Sequence, residues 1–323
     1  MADCSQSEFE ALCLAQLREL WTNYGAMSET WFDGGWAADA GPAVKALVQE
    51  LLPTTAAFGG YGVSRNPVKW VGTESGLPTG PIWSTGATRQ GDPNGTAYVP
   101  AGCDTVLMTP HTWFAIEGMG VRTLADMINS YHATVGNNCV MELGFATDRS
   151  GLIPDDQVQR AAELGAFIRG CYGTPLASTS RLTASDAILT LALTPPESVA
   201  STPATTTAVP AVPAVAAVAG AVAAEAAAAG AVAGVDRVML QEDLSKGQRI
   251  RAYNVEIKVN GSSPWINFSS GTSVGHKRID IIESGTALTL GPGAALRLVI
   301  LGFVGGHPPV IRNFAAFSPC PHK

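Results

Sequence analysis

Charge is scarce in this 323-residue chain: 15% of residues are charged, and 20 Lys and Arg face 27 Asp and Glu, a net charge of −7. No basic stripe is present, so a phosphate backbone would find no complementary surface and nucleic acid is not an expected partner. The six cysteines, Cys4, Cys13, Cys103, Cys139, Cys171 and Cys320, include no Cys-x-x-Cys pair. That argues against zinc and thioredoxin-type chemistry and leaves disulfide pairing open. The five histidines (His111, His132, His276, His307, His322) show no metal-ligand spacing and read as structural or solvated side chains. No metal or organic cofactor is expected. Gly59-Gly60-Tyr61-Gly62 is followed by no Gly-Lys-Ser/Thr and reads as a turn, not a phosphate loop. The first residues are polar and acidic rather than basic then apolar, so no signal peptide is expected at this start.

One long apolar stretch stands out, residues 214–235. Its length suits a membrane span. Its alanine content, Glu225 in its middle and the lack of aromatic and basic anchors favour a low-complexity linker, and no membrane partner is expected.

Before that stretch, helix and strand patterns alternate. Phe9, Leu12, Cys13, Leu17, Leu20 and Trp21 recur at helical spacing, with Ser7 and Glu10 as a capping box and Gly25 as a stop. Strand-like runs fall at 30–32, 68–73, 105–108 and 139–143, and helices at 42–52, 124–135 and 155–171. Alternation of this kind argues α/β with parallel strands. About four such units precede Tyr172, half the complement of a (β/α)8 barrel. After Val235 the period changes to two, as in residues 250–257 and 295–300, with turn clusters such as Asn260-Gly261-Ser262-Ser263-Pro264 between. That is an antiparallel β-sandwich pattern. The expected architecture is the C-terminal half of a (β/α)8 barrel, residues 1–176, followed by a β-sandwich, residues 177–323. An Ala/Pro/Val-rich insert at about 201–234 interrupts the sandwich after a strand near 188–193.

Two carboxylates sit where a barrel enzyme places its chemistry. Asp33 follows the first strand in Trp31-Phe32-Asp33-Gly34-Gly35-Trp36, and Glu74 follows the second in Trp70-Val71-Gly72-Thr73-Glu74-Ser75-Gly76. Taken singly, Asp33 is an ordinary Asp-Gly turn residue and Glu74 a solvated loop acid. The flanking tryptophans shift the balance, because an indole face stacks on the apolar face of a sugar and is otherwise costly to expose. Glycoside hydrolysis needs two such carboxylates. Gly271-Thr272-Ser273-Val274-Gly275 matches a hydrolase elbow, yet a strand pattern follows it rather than a helix, so it reads as coincidence. Asn94, Asn260 and Asn267 head glycosylation sequons.

Several ordered segments resemble glycoside hydrolase family 29, the α-L-fucosidases. Gln16-Leu17-Arg18-Glu19-Leu20, Asn23-Tyr24-Gly25 and Glu29-Thr30-Trp31-Phe32-Asp33-Gly34-Gly35 are similar to its nucleophile region. Residues 70–76 with Trp83 are similar to the acid/base segment of the branch that includes plant enzymes. Cys103-Asp104 through Trp113-Phe114, Asn137-Asn138 through Ile153, and residues 236–249 with 275–280 also match. The resemblance covers nearly everything outside the Ala-rich insert. It implies a retaining α-L-fucosidase acting on fucosylated glycans with α-1,3 or α-1,4 linkages, with Asp33 as nucleophile, Glu74 as acid/base, and Trp31 and Trp113 lining the fucose ring and its methyl group. It implies a secreted or vacuolar/lysosomal setting.

The same resemblance places Met1 inside the family domain. The expectation is therefore an N-terminally truncated chain without the first barrel strands and without the family's His-His pair and aromatic residue that hold fucose. The usual prolines near Gly144-Phe145-Ala146-Thr147 are also missing. The alternative reading is an inactive fragment that acts at most as a carbohydrate-binding module, using exposed aromatics such as Trp265.

Overall fold

The computed structural model describes residues 4–36, 40–183, 188–193, 234–282 and 286–320. Most of the low-complexity insert lies outside these residues. Among them, no helix is long and apolar enough to cross a membrane.

The chain opens with helix α1 (Gln6–Asn23). Two Ser-x-x-Glu patterns overlap at its start, and the earlier one is used, not Ser7 with Glu10. The Ser5 hydroxyl accepts from the Glu8 N–H, Glu8 accepts from the Ser5 N–H at 2.9 Å, and the Phe9 N–H bonds Ser5 O, which adds helical bonds at the N-terminus. Then come β1 (Glu29–Trp31), α2 (Gly41–Leu51), β2 (Ala56–Phe58), β3 (Pro67–Trp70), β4 (Ala101–Val106), the ribbon β5 (Met108–Thr109) and β6 (Gly120–Val121), α3 (Leu124–Ala133), β7 (Cys139–Gly144) and α4 (Asp155–Tyr172).

Strands β1-β2-β3-β4-β7 form one parallel sheet. Its curl and its crossover helices make it the wall of a partial (β/α)8 barrel. The sheet has five strands where the sequence pattern suggested four units. Ala56-Ala57-Phe58 is too short to show a period; neighbours make it a strand, through Ala56 N to Ser28 O and Ala57 N to Asn66 O. The outer face meets the helices. Met141 and Leu143 pack with Leu107, Met127, Tyr131 and Leu164, and α1 closes on α2 through Trp21, Val44, Leu47 and Val48. Register puts Trp31 beside Phe58, Trp70 beside Gly102, and Asp104 beside Glu142 on the other face.

The second region contains β8 (Ala177–Thr183), β9 (Ile188–Ala192), β10 (Gly234–Val235), β11 (Arg237–Glu242), β12 (Ile250–Lys258), β13 (Ile266–Gly271), β14 (Arg278–Ile281), β15 (Leu288–Thr289), β16 (Ala295–Phe303) and β17 (Val310–Phe317). They form two four-stranded antiparallel sheets, β14-β11-β17-β8 and β13-β12-β16-β9, plus the ribbon β10-β15. Gly234 and Val235 are thus strand residues, and Val235 is buried in the sandwich core. The alternation expected along 250–257 changes phase midway. Register shifts between Ile250 and Tyr253 let Ile250, then Tyr253, Val255 and Ile257 all face the core. Disulfides join Cys103 to Cys139 across β4 and β7, and Cys171 of α4 to Cys320 beyond β17.

A buried polar network joins barrel and sandwich. Asn138, with a left-handed φ of 62°, donates its amide to Ile82 O and Ser84 Oγ at 3.0 Å, and accepts from the His276 N–H at 2.7 Å. Gln248 accepts from the Ser84 N–H at 2.6 Å and donates to Ser273, whose hydroxyl donates to Ile82 O. Ser273 is 2% exposed, which removes the elbow motif from any nucleophilic role. Asn138→Ala leaves several buried partners unpaired and strains φ, so it is expected to cost about 2–4 kcal/mol in urea denaturation. Asn138→Gly, which relieves the backbone alone, recovers only part; equal stability of all three proteins contradicts the network's role.

Candidate active site

All five sheet strands run the same way, so their C-terminal ends share one edge, where barrel enzymes collect their catalytic groups. Asp33 lies two residues past β1, in a turn closed by the Gly35 N–H on Phe32 O. Gly34 and Gly35 have φ of 73° and 83°, which only glycine adopts without strain. Alternation sends Phe32 outward, into the cluster with Trp21 and Trp36, and leaves Trp31 on the inner face. Trp31 stacks on Phe58 at 3.6 Å between centroids and stays 41% exposed. Trp36 therefore belongs to the helix layer.

Glu74 lies beyond β3, on the connection that reaches β4 at Ala101. Buried Lys69 holds that connection, with its ammonium on the carbonyls of Trp83 and Val99 at 2.5 Å and Gly86 at 3.3 Å. Burial lowers its pKa to about 8. The Trp113 indole N–H donates to Glu74 at 2.9 Å, and His111 Nε2 lies 3.7 Å from the same oxygen. Both residues come from the loop between β5 and β6, and their rings meet edge to face. Trp113 lies so close on β7 that a Cβ at Gly144 would stand 2.6 Å from its ring.

Asp104, on β4 next to the strand that leads to Glu74, accepts the Trp70 indole N–H at 2.6 Å. Burial raises its pKa, the indole bond opposes the rise, and the charges of Glu74 and Asp33 add to it. Both candidate carboxylates thus act on one aspartate. Glu142, Asp104's register partner, is pushed up to about 8 by burial and by Glu29 and Asp104, and its Oε2 has no hydrogen-bond partner. Among the described residues, no three His, Cys, Asp or Glu side chains gather as a metal site.

Comparison with known proteins shows what the arrangement resembles. No protein-family model matches the chain. Alpha-L-fucosidase 1 of Arabidopsis thaliana is 25% identical over 302 residues, covering 86% of this chain and 57% of that protein. A solved structure from Bacteroides thetaiotaomicron, provisionally assigned as an α-L-fucosidase, is 28% identical with a TM-score of 0.74, covering 97% of this chain and 65% of that one. The chain is similar in sequence and fold to α-L-fucosidases, with family-29 enzymes among its structural neighbours. It spans a little over half the length of its curated relatives. A Ruminococcus gnavus family-29 fucosidase solved with fucose shares the fold at 18% identity, with a TM-score of 0.73, covering 98% of this chain and 67% of that one.

On this fucosidase fold, Asp33, Glu74, Trp31 and Trp113 all fall at the strand ends or on the inner face beside them. Sequence reasoning overlooked His111, the Trp70–Asp104 bond and Glu142. His111 had no metal spacing to flag it, while the Cys103-Asp104 match located Asp104 without its partner. Trp265, named as an exposed platform, has Arg297 over its ring at 4.5 Å and Lys258 at 5.6 Å. His132 is a core histidine, bonded to the Tyr172 hydroxyl at 2.6 Å and pushed down to about 4 mainly by burial.

The Glu142 shift sets a pH dependence. Its folded pKa of about 8 exceeds the ordinary glutamate value of 4.5, so the folded state binds the extra proton and stability falls as pH rises through that window. Glu142→Gln should flatten the decline in chemical-denaturation stability between about pH 5 and pH 8; an unchanged slope argues against a protonated Glu142.

Proposed function

We propose that the protein is a retaining α-L-fucosidase, releasing α-1,3- or α-1,4-linked L-fucose from oligosaccharides or glycoproteins. The observation that supports the reading is the position of Asp33 and Glu74 beyond the C-terminal ends of β1 and β3, on one edge of the parallel sheet, with Glu74 accepting the Trp113 N–H. The names of the relatives support the substrate class. The proposed domain division, 1–176 and 177–323, follows the change from parallel to antiparallel sheets.

In this reading Asp33 attacks the anomeric carbon and forms a fucosyl ester. Glu74 protonates the leaving oxygen as the glycosidic bond breaks, then takes a proton from the water that cleaves the ester. A retaining pair needs its carboxyl groups about 5–5.5 Å apart, a separation suited to acids at the ends of nearby strands. Trp31, propped on Phe58, offers a flat apolar face to the ring and methyl group. Trp113 both lines the pocket and orients the acid. His111 adds a second nitrogen beside Glu74. No cofactor enters the scheme.

Small nucleophiles separate the two roles. With an aryl α-L-fucoside and azide, Glu74→Ala should yield α-fucosyl azide, because azide attacks the fucosyl-enzyme. Asp33→Gly should yield β-fucosyl azide by direct displacement, and Asp33→Asn should lower turnover by on the order of 10³-fold or more. NMR of the azide products reads the assignment; exchanged products reverse the roles, and full turnover by Asp33→Asn removes the nucleophile.

A further inference from the structure

The long connection between β3 and β4 meets the sandwich at a crevice of about 420 Å³ that the proposed chemistry does not use. Its walls include Asn94, Thr96, Lys246, Gln248, Arg249 and Arg251. Three of the twelve lining residues are cations and none is acidic, in a chain whose net charge is −7. Such a concentration of one sign in a concave site focuses positive potential.

The cations are built in. Arg249 is 7% exposed, and its Nε donates to Val304 O at 3.0 Å. Gly305, at φ 85°, leaves the room that the Arg249 guanidinium occupies, since a Cβ there would collide with it. Arg251 donates to Pro93 O at 2.7 Å and lies over the Trp83 ring at 4.8 Å, so the guanidinium is fixed against the barrel connection. Lys246 stands exposed at the rim, in the 3-10 turn Leu244–Lys246. Among the described residues, none of the three forms an ion pair with an Asp or Glu side chain. Asp92 and the buried Glu242 act on Arg251 from a distance.

We propose that this crevice binds an anionic saccharide, a sugar bearing a sulfate ester or carboxylate, as a site separate from the carboxylate pair. The fixed guanidinium of Arg249 and the mobile ammonium of Lys246 take the oxyanion. Asn94 and Thr96, both exposed, present amide and hydroxyl groups suited to sugar hydroxyls. No aromatic side chain lines the crevice for a nucleobase to stack on, and its volume falls within the usual range of small-molecule sites. The saccharide part of the assignment rests on the fucosidase reading; the anion part rests on the cations alone.

The test is calorimetric titration of the whole protein, made in a host that leaves Asn94 unglycosylated, with a sulfated oligosaccharide that contains no fucose. Binding should weaken steeply with salt, and the desulfated oligosaccharide should not bind. Lys246→Glu and Arg249→Gln should each weaken binding about tenfold or more, and Asp33→Asn should leave it unchanged. Lys246 is exposed, so its variant stays informative if Arg249→Gln fails to fold. Equal affinity for the desulfated oligosaccharide, wild-type affinity in Lys246→Glu, or loss of binding in Asp33→Asn overturns the site. Inorganic sulfate binding as tightly as the oligosaccharide overturns the saccharide class. Hydrolysis of a neutral aryl fucoside is scored separately, so a failure of the fucosidase reading cannot be mistaken for a failure here.

Discussion

The amide of Asn138 is the contact on which the rest of the site depends. It stands at the entrance to β7, yet its bonds reach the connection that carries Glu74 and the sandwich turn at His276. Gln248 and Ser273 complete the junction from the sandwich side. The connection from Val71 to Pro100 is long for a loop between adjacent strands, and a free loop of that length would not hold the Glu74 carboxylate still. Two anchors replace regular structure: the Asn138 network at Ile82 and Ser84, and the Lys69 ammonium under Trp83, Gly86 and Val99. The sandwich thus acts as a brace for the loop that carries Glu74, and the polar groups between them are buried in matched pairs.

The inner face of the sheet works against this order. Glu29, Asp104 and Glu142 share this face, and desolvation raises the pKa of each, although Glu29 at the sheet edge is exposed. The indole N–H of Trp70 is the compensating dipole at Asp104, and that of Trp113 donates to the Glu74 carboxylate. Tryptophan suits both tasks, because one side chain supplies a donor for a carboxylate and a broad apolar face. The inner face is also partly open: Val140 is 54% exposed and Phe145 38%.

The parts of this molecule that follow local chemistry were readable in the residues. Asp33 stood out because a short apolar run ends there at two glycines, and the helix expected at 124–135 is present as Leu124–Ala133. What was not readable depends on neighbours far along the chain. Ala56-Ala57-Phe58 has no period of its own and becomes a strand through bonds to Ser28 and Asn66. The phase change in β12 is imposed by its pairing with β16. Glu142 reads as one acid among many until register sets it beside Asp104. His111 reaches Glu74 only because β5 and β6 fold their loop back over the strand ends. The disulfides likewise join cysteines 36 and 149 positions apart.

The account makes Asp33 the atom source of a covalent bond to the sugar, and mechanism-based trapping tests that most directly. Incubation with a 2-deoxy-2-fluoro-fucosyl donor slows both steps and allows the ester to accumulate. Peptide mass spectrometry then locates the sugar. The account predicts a single fucosyl adduct on the carboxylate of Asp33. An adduct on Glu74, Asp104 or Glu142 with Asp33 unmodified contradicts it.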